Sequence, residues 1–524
     1  MQWIDEHRRI VIVGVLLLAA LLRFQDINQP YVDYLAWREA TTASIADAFA
    51  TENWNILLPQ IRPGGPGPNY IGAEFQTVTY IAAIGYQAFG RAPWVGRVVS
   101  VAFGLWGIFA LYQLVCRVWD SPQGIASAAV MAVLPGSVFI ERSFLPDGAM
   151  TALMTTSLWM LVTYCQTEKP RYLVAAALAG MIGCLTKLPG GILVLPAIYT
   201  VTSILGSRLR ERQVQVRFTV TAFVVAIPVI AYYLWARHLA FSGTPHHFTG
   251  EGKFLWDSDL RSWLHDFLPN LRIIVTSNFF NLPFLALAIV GILLPNRAEK
   301  RRVAPWLFHF WLLAMAIRYL IEHRHLSSDP QNLHMDNPVI AAFAGHALVS
   351  LANGVIPFWN KAVGTFLSIL IFSGAAILGQ VQVHYLYYHP AVWQQHYILG
   401  QNVAELSRPT DLVISMGWAP VVLYHSQRKG WAFPSLYVKE MGPDYGPPWK
   451  YGDEDVSILR ELKAQGAQWL IIPSWNDYMP AWNRYTGASR REFLRTAYPA
   501  LYAEIFDSFQ LVREIPEGLI FQAK

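Results

Sequence analysis

Charged residues are scarce in this chain of 524 residues: 14% of them are Asp, Glu, Lys or Arg, whereas 54% are hydrophobic. About a quarter of the residues in a typical soluble domain are charged, and a soluble chain of this length divides into several domains with charged surfaces. The composition therefore excludes an ordinary soluble enzyme. Cysteine is also rare. Cys116, Cys165 and Cys184 lie in or beside apolar runs, so neither a disulfide framework nor a cysteine metal site is indicated.

Basic residues are not concentrated either. The net charge is only +5, and Lys and Arg form no stripe with interleaved aromatic residues, so we expect no nucleic-acid partner. The chain has instead long uncharged apolar runs between short clusters of Arg and Lys. This pattern is typical of a polytopic membrane protein.

The apolar runs have roughly 14–23 residues each, near the ~20 that cross a bilayer. No small-residue cleavage site follows the first run, so we interpret it as a retained span and not as a signal peptide. We predict about eleven transmembrane helices. The candidate spans are residues 10–22, 95–116, 124–140, 149–164, 172–186, 190–205, 218–240, 273–294, 305–321, 338–351 and 363–381.

The placement of basic residues predicts which side each loop faces. The clusters at residues 208–217 and 297–302 mark the cytoplasmic side. If the N-terminus is cytoplasmic, both clusters face the cytoplasm only when residues 75–89 do not span the membrane. We therefore predict an interfacial or re-entrant helix there. The loops outside are then residues 23–74, 141–147, 241–272 and 322–337.

The tail, residues 384–524, also lies outside in this topology and is more polar than the rest. Residues 411–416 and 468–473 are predicted strands, and residues 454–465 between them are a predicted helix that ends at Gly466. This order indicates a small α/β domain. We therefore expect a transmembrane domain, residues 1–383 with 23–74 as its first outer loop, followed by an extracytoplasmic α/β domain, residues 384–524.

The first outer loop is too long for a simple connector. Ile45, Ala48 and Phe49 have helical spacing, which is consistent with a helix on the bilayer surface, and residues 63–68 form a rigid turn system rich in Gly and Pro. A solvated loop whose carboxylates pair with its own arginines is the alternative interpretation. Its charged residues are candidates for chemistry: Asp33, Arg38, Glu39, Arg62 and Glu74.

Three other outer positions carry candidate residues. Asp147 follows a proline at a predicted helix start, where the helix dipole stabilises an anion, although a plain N-cap would explain it too. Lys187 ends an apolar run, where a lysine either snorkels to the headgroups or binds a phosphate. The loop at 322–337 suits cationic contacts to a phosphate better than metal binding, because its histidines match no tight ligand spacing. Those histidines are His323, His325 and His334.

Taken together and in order, these segments resemble the GT-C glycosyltransferases, in particular the bacterial family related to protein O-mannosyltransferases and lipid A aminoarabinose transferase. The resemblance covers nearly the whole chain. A Glu stands at position 39, where that family usually has Gln. The matching positions are Asp33, Tyr34, Trp37, Arg38, Thr42, Ala43, Ile45, Ala46 and Phe49, then Pro59, Gln60, residues 64–68, Glu74 and Phe75, then Arg142, Pro146 and Asp147, then Thr186 and Lys187, and finally His334, Asn337 and Pro338. Glu141, beside Arg142 in the same outer loop, is a further candidate for substrate binding.

The resemblance implies a GT-C fold and a glycosyltransferase that takes a sugar from a polyprenyl phosphate. Its location would be the bacterial inner membrane, with the active site and the tail on the periplasmic side, and its acceptor a glycan, a lipid or a protein. Inverting transfer needs a carboxylate base. We expect Asp33 in this role, with Glu39 and Asp147 as alternatives or positioning groups. Relatives with monophosphate donors imply no required cofactor, and metal dependence stays open.

Two other classes of function fit a polytopic chain. A transporter would have inverted repeats and polar groups in mid-membrane, whereas the predicted spans are nearly free of charge and the acidic residues gather outside. A non-catalytic lipid-binding scaffold would not need Asp33 and Asp147, and both are present. A third possibility is an enzyme of the same architecture that uses a pyrophosphate-linked donor.

Overall fold

The computed structural model of the protein describes residues 7–242, 254–294, 303–354, 360–389, 391–417, 420–433, 453–474, 484 and 486–524. By its internal contacts the chain divides into two compact units. The membrane unit comprises Met1–Ile27, Trp94–Tyr233 and Gly250–Leu386. The loop–tail unit comprises Asn28–Pro93, Leu234–Thr249 and Tyr387–Lys524.

The fold is mostly helical, as the apolar runs predict. Short 3-10 helices lie at Leu188–Leu193 and at Pro330–Asp336. The helices up to the tail are α1 (Arg8–Phe24), α2 (Ala36–Thr51), α3 (Thr77–Phe89), α4 (Pro93–Val118), α5 (Ser121–Val133), α6 (Pro135–Arg142), α7 (Pro146–Thr167), α8 (Pro170–Thr186), α9 (Val194–Leu205), α10 (Arg212–Ser242), α11 (Leu260–Thr276), α12 (Leu282–Leu293), α13 (Leu307–Ser328), α14 (Asn337–Ala352) and α15 (Lys361–Tyr388).

Several of these helices suit a bilayer. Within the described residues, four helical stretches are long and apolar enough to cross a membrane: Pro93–Val118, Leu188–Arg210, Arg212–Ser242 and Lys361–Leu406. The pair α5 and α6 passes the same test together, with a bend of 64° between them. The total of about eleven spans stays a prediction.

Two predicted spans are not single straight helices. Residues 124–140 bend where Leu134 takes extended dihedrals before Pro135, since the residue before a proline avoids the helical region. Residues 273–294, predicted as one span, do not form one continuous helix. Helix α11 ends at Thr276, and α12 starts afresh because the Asn281 side chain accepts a hydrogen bond from the amide of Phe284.

The predicted topology depends on whether helix α3 spans the membrane. The helix has 13 residues, which span about 20 Å, less than the ~30 Å hydrocarbon core. One of its faces is buried at Val78, Ala82 and Ala83, and the other is exposed at Ile84 and Phe89. Both its length and its one-sided burial favour an interfacial helix.

The surface-helix expectation for α2 is corrected. Its apolar residues Ile45 and Phe49 are buried against Ile61, Ile71 and Ala83 of the same loop and of α3. The helix forms where it was expected, but its apolar face is covered by protein. The cover is supplied by residues on both sides of the glycine- and proline-rich turn and by α3.

The tail forms a small α/β domain, as predicted. Its elements are α16 (Val392–Leu406), β1 (Leu412–Met416), α17 (Val421–Ser426), β2 (Gly430–Phe433), α18 (Asp453–Ala464), β3 (Ala467–Pro473), α19 (Gly487–Ala497), α20 (Pro499–Ser508), β4 (Phe509–Ile515) and β5 (Gly518–Ala523). The strand order is β2-β1-β3-β5-β4; β1 pairs in parallel with β2 and β3, while β5 pairs antiparallel with β3 and β4. Both predicted strands and the helix between them are confirmed as β1, β3 and α18.

Candidate active site

The membrane unit buries several charged side chains, most of them near the ends of its helices. A buried charge is costly unless it is paired and hydrogen-bonded, so each of them needs a partner. Some of the partners are far apart in sequence, whereas Arg318 pairs with Glu322 one turn along the same helix. The buried residues include Arg23, Glu141, Asp147, Lys187, Arg318, Glu322 and His334.

Lys187 forms the centre of one cluster. Its Nζ donates to Oδ1 of Asp147 at 2.5 Å and to Oδ1 of Asn332 at 2.5 Å. Asp147 lies in the first turn of α7, where the unpaired backbone amides favour a carboxylate. Its Oδ2 is buried and accepts no hydrogen bond from the described residues. A lysine that snorkels to the headgroups is therefore not what the structure has, because Lys187 is turned inward onto a carboxylate.

Glu141 forms the centre of a second cluster. Its Oε2 accepts from Nε of Arg23 at 2.7 Å, and its Oε1 accepts from Oγ of Ser137 at 3.0 Å. Nε2 of His334 lies 3.3 Å from Oε1. On the backbone side, Gly104 of α4 leaves the room that Glu141 occupies, since an added Cβ would lie 2.6 Å from that residue's Cβ.

Arg318 links the segment 330–337 to α13. It forms a buried ion pair with Glu322 one turn later, and its Nη1 donates to the backbone oxygen of Asn332 at 2.7 Å. The helix leaves regular geometry at Glu322. Beyond this kink, burial raises the pKa of Asp336 to about 6, because desolvation disfavours the charged carboxylate.

The three predicted histidines do not share one environment. His334 lies beside Glu141, and Nε2 of His325 lies 3.2 Å from Nδ2 of Asn332. His323 lies apart from them, with its ring 4.1 Å from that of Trp263 and its Nδ1 2.9 Å from Nδ2 of Asn270. Burial lowers the pKa of His323, so a cationic phosphate contact from this residue is disfavoured.

Arg142 serves the end of the first helix. Its Nε donates to the backbone oxygen of Gln25 at 3.0 Å, and its Nη2 donates to that of Asp26 at 2.6 Å. These oxygens follow α1, where the last carbonyls of a helix lack partners in the helix itself. Arg142 therefore fixes the backbone that follows the C-terminal end of α1.

In the loop–tail unit, Asp33 and Glu39 are fully buried. Oδ1 of Asp33 accepts from the amide of Leu35 at 3.3 Å, and the Asp33 carbonyl accepts from the amide of Ala36 at the start of α2. Trp37 is half-buried one turn further along. These two hydrogen bonds connect Asp33 to the start of α2.

Two arginines of the first outer loop, Arg38 and Arg62, are paired with carboxylates of the same loop, and Arg91, which follows α3, shares one of these carboxylates. Arg38 pairs with Glu74. Arg62 and Arg91 both pair with Asp47, at 3.1 and 2.7 Å. The interpretation as a loop that pairs its own charges is therefore right about the partners. It is wrong about solvation, since the side chain of Asp47 is 4% exposed.

Within the same unit, the tail is joined to the first outer loop by backbone hydrogen bonds. The amides of Gly64 and Gly65 both donate to the carbonyl of Gly430, at 2.7 and 2.8 Å. Nε2 of His425 lies 3.2 Å from the backbone oxygen of Tyr31. The glycine run was expected to be a turn system; the structure adds that it docks on β2.

Sequence reasoning missed Arg23, Asp47, Arg318 and Asn332. A charge at the end of an otherwise apolar helix was a usable signal for Arg23 and Arg318, since such charges are rare unless paired. Asp47 and Asn332 carry no such signal in a single sequence. Among the described residues, no group of three or more His, Cys, Asp or Glu side chains is placed to hold a metal ion.

Comparison with known proteins places this architecture. The family described as dolichyl-phosphate-mannose-protein mannosyltransferase matches residues 77–235. Among curated proteins, none has a matching sequence.

Solved structures match over much more of the chain. ArnT from Cupriavidus metallidurans bound to undecaprenyl phosphate superposes with a TM-score of 0.62 at 14% identity, covering 97% of both chains. The Archaeoglobus fulgidus oligosaccharyltransferase in complex with Zn and sulfate matches with a TM-score of 0.57 at 14% identity, covering 90% of this chain and 71% of that one. The structure of AglB from the same organism with an inhibitory peptide and a dolichol-phosphate matches with a TM-score of 0.55 at 14% identity, covering 93% of this chain and 73% of that one. The chain therefore has the fold of the GT-C glycosyltransferases, as its ordered motifs predict.

Proposed function

We propose that this protein is an integral-membrane glycosyltransferase that transfers a sugar from a polyprenyl-phosphate donor to an extracytoplasmic acceptor. The observation that carries the proposal is the match along 97% of the chain to a structure bound to undecaprenyl phosphate. The inward-facing Lys187–Asp147 pair supports it, because such a buried pair offers a cation for an anionic ligand. The location we propose is the bacterial inner membrane, with the outer loops and the tail in the periplasm.

Asp33 is the proposed base. Its carboxylate takes the proton of the acceptor hydroxyl while the acceptor oxygen bonds to the anomeric carbon. The bond from that carbon to the phosphate oxygen breaks on the opposite face, and polyprenyl phosphate leaves, so the configuration inverts. Glu39 is buried on the same short segment and is the alternative base.

Lys187 is the proposed cation for the donor phosphate. An ammonium has three N–H donors, and Asp147 and Asn332 accept from it, which leaves one donor for a phosphate oxygen. Arg62 is less suited, because it already donates to Asp47. We assign Asp147 a positioning role, with its Oδ2 directed to a hydroxyl of the sugar.

A transporter is the second candidate function, since buried charges also mark transport pathways. Against it, the buried charges of the membrane unit are paired with one another, and Arg23, Glu141, Asp147 and Lys187 lie at helix ends. A scaffold has no need for a buried carboxylate oxygen without a donor, because such an atom is costly. A pyrophosphate-linked donor would need more cationic partners than Lys187 alone.

The test is a transfer assay with purified protein in lipid. The donors are radiolabelled polyprenyl-phosphate sugars, the acceptor is the membrane fraction, and Asp33→Asn and Glu39→Gln are run in parallel. We expect label in an acceptor with the wild type and at least a 100-fold loss in Asp33→Asn, the scale of general-base catalysis.

Normal transfer by Asp33→Asn together with loss in Glu39→Gln would move the base to Glu39. No transfer from any donor by a folded wild-type protein would refute the proposal. Uptake of a labelled solute into vesicles that contain the protein would then establish the transporter.

A further inference from the structure

Asn332 connects three charged or titratable side chains through its own polar atoms. Its Oδ1 accepts from Nζ of Lys187, its Nδ2 faces Nε2 of His325, and its backbone oxygen accepts from Nη1 of Arg318. Asn332 as a whole residue is 5% exposed.

The orientation of the Asn332 amide is fixed by chemistry. An ammonium has only donors, so the atom facing Lys187 must be the amide oxygen. The amide nitrogen then faces His325, and because it donates, Nε2 of His325 must accept. His325 is therefore neutral, with its proton on Nδ1, which lies 3.4 Å from Oδ2 of Asp329.

Burial lowers the pKa of His325 and so supports the neutral ring. The charged groups around it act in both directions. Asp329 and Glu322 favour the protonated ring, whereas Lys187 and Arg318 disfavour it. Asn332 is an uncharged partner of the His325 ring, and its amide can rotate when the ring gains a proton.

We propose that Asn332 is a positioning residue for Lys187 and that it holds the lysine only while His325 is neutral. The part that concerns the donor phosphate rests on the proposed function. When His325 takes up a proton, its Nε2 becomes a donor and opposes the Asn332 amide nitrogen. The amide must then rotate, and its nitrogen faces the ammonium, so the hydrogen bond to Lys187 is lost.

The first experiment does not depend on activity. A double-mutant cycle of Asn332→Leu and Lys187→Met is measured by the thermal unfolding of the full chain in detergent, at about pH 8 and about pH 4.5. One charge-assisted hydrogen bond corresponds to about a ten-fold coupling of the unfolding equilibrium. We expect this coupling at the higher pH and its loss at the lower pH.

Two further backgrounds make the test specific. In His325→Gln, whose side-chain oxygen accepts at every pH, the coupling should be equal at both pH values. In His265→Gln, which removes a histidine whose side chain is 83% exposed, the coupling should change with pH as in the wild type. Coupling that is independent of pH in the wild type, or absent at both pH values, overturns the proposal.

The second experiment measures transfer against pH. We expect the KM for the polyprenyl-phosphate donor to rise about ten-fold as the pH falls through the His325 titration, with a smaller change in kcat. Asn332→Asp should lose this rise, because a carboxylate accepts from both Lys187 and a protonated His325. A merely structural role would lower activity at all pH values and leave the shape of the profile unchanged.

The outcomes separate the two proposals. A pH-dependent coupling without transfer from any donor refutes the proposed function and leaves the Asn332 switch in place. Transfer with a coupling that does not respond to pH refutes the switch and leaves the proposed function in place.

Discussion

Nζ of Lys187 lies 2.5 Å from Oδ1 of Asp147, a buried ion pair between positions 40 residues apart. The lysine follows α8 directly, and the aspartate stands in the first turn of α7. Each was singled out separately from the sequence, one as a phosphate contact and one as a helix-dipole partner. Their pairing gives both a structural duty in addition to the proposed chemical one.

Breaking this pair should destabilise the protein more than removing it whole. Lys187→Met leaves a buried carboxylate unpaired, which costs about 3–5 kcal/mol, and Asp147→Asn leaves a buried ammonium. The double variant should lose less than the sum of the two. Thermal unfolding in detergent measures all three, and strictly additive losses would contradict the pairing. As a control, Glu492→Gln removes an exposed partner of Arg495 and should cost less than about 1 kcal/mol.

Gly104 should tolerate no side chain. Gly104→Ala would place its Cβ 2.6 Å from Cβ and 2.7 Å from Oε2 of Glu141, so the Arg23–Glu141 pair must shift, at a cost of about 1–3 kcal/mol. Gly374→Ala is the matched control, because it lies in α15 of the same unit with nothing within 4 Å. It should be neutral or stabilising by up to about 1 kcal/mol. Equal unfolding temperatures for the two variants would show that Glu141 moves freely.

Gly430→Ala should disrupt the backbone hydrogen bonds between the tail and the first outer loop. The added Cβ would lie 1.8 Å from the backbone oxygen of Val413, at a φ of +153°, so β2 has to leave β1. We expect a loss of about 3 kcal/mol or more and faster cleavage of the tail by a protease. Gly487→Ala has a positive φ but nothing within 4 Å, and it should cost only about 1–2 kcal/mol.

Asp336 should make stability depend on pH. Its pKa is about 6 in the folded chain, against 3.8 ordinarily, so the folded state holds the proton more tightly than the unfolded state. The wild type therefore loses stability as the pH rises from about 4 through 6. At about pH 8, the free energy of unfolding of Asp336→Asn should exceed that of the wild type by up to about 3 kcal/mol. The variant should therefore unfold at a higher temperature.

At about pH 4 the difference between Asp336→Asn and the wild type should disappear, because both side chains are then neutral. A wild type that is more stable than Asp336→Asn at the higher pH would mean that the carboxylate is held in its charged form. Unfolding curves at four or five pH values, with both proteins in the same detergent, decide between these results.

The sequence alone determined the class of architecture. Its apolar runs and sparse charge predict helices in a membrane, because a helix hydrogen-bonds its own backbone N–H and C=O groups where the bilayer offers no water. The alternating strand and helix patterns of the tail predicted β1, α18 and β3 within one residue at each end. The order of short motifs, from Asp33 to Asn337, predicted the fold of the GT-C glycosyltransferases, which the similar solved structures confirm. These features are local or follow chain order, so a single sequence contains them.

Tertiary structure alone decided which charges meet. Asn332 carries no signal in the sequence, yet it joins Lys187 to His325, because the 3-10 turn at Pro330–Asp336 brings it there. The apolar face of α2 looked suited to lipid and is covered by its own loop. Periodicity tells which face of a helix is apolar but not what covers it. Partners far apart in sequence are chosen by packing, and only the folded chain contains that choice.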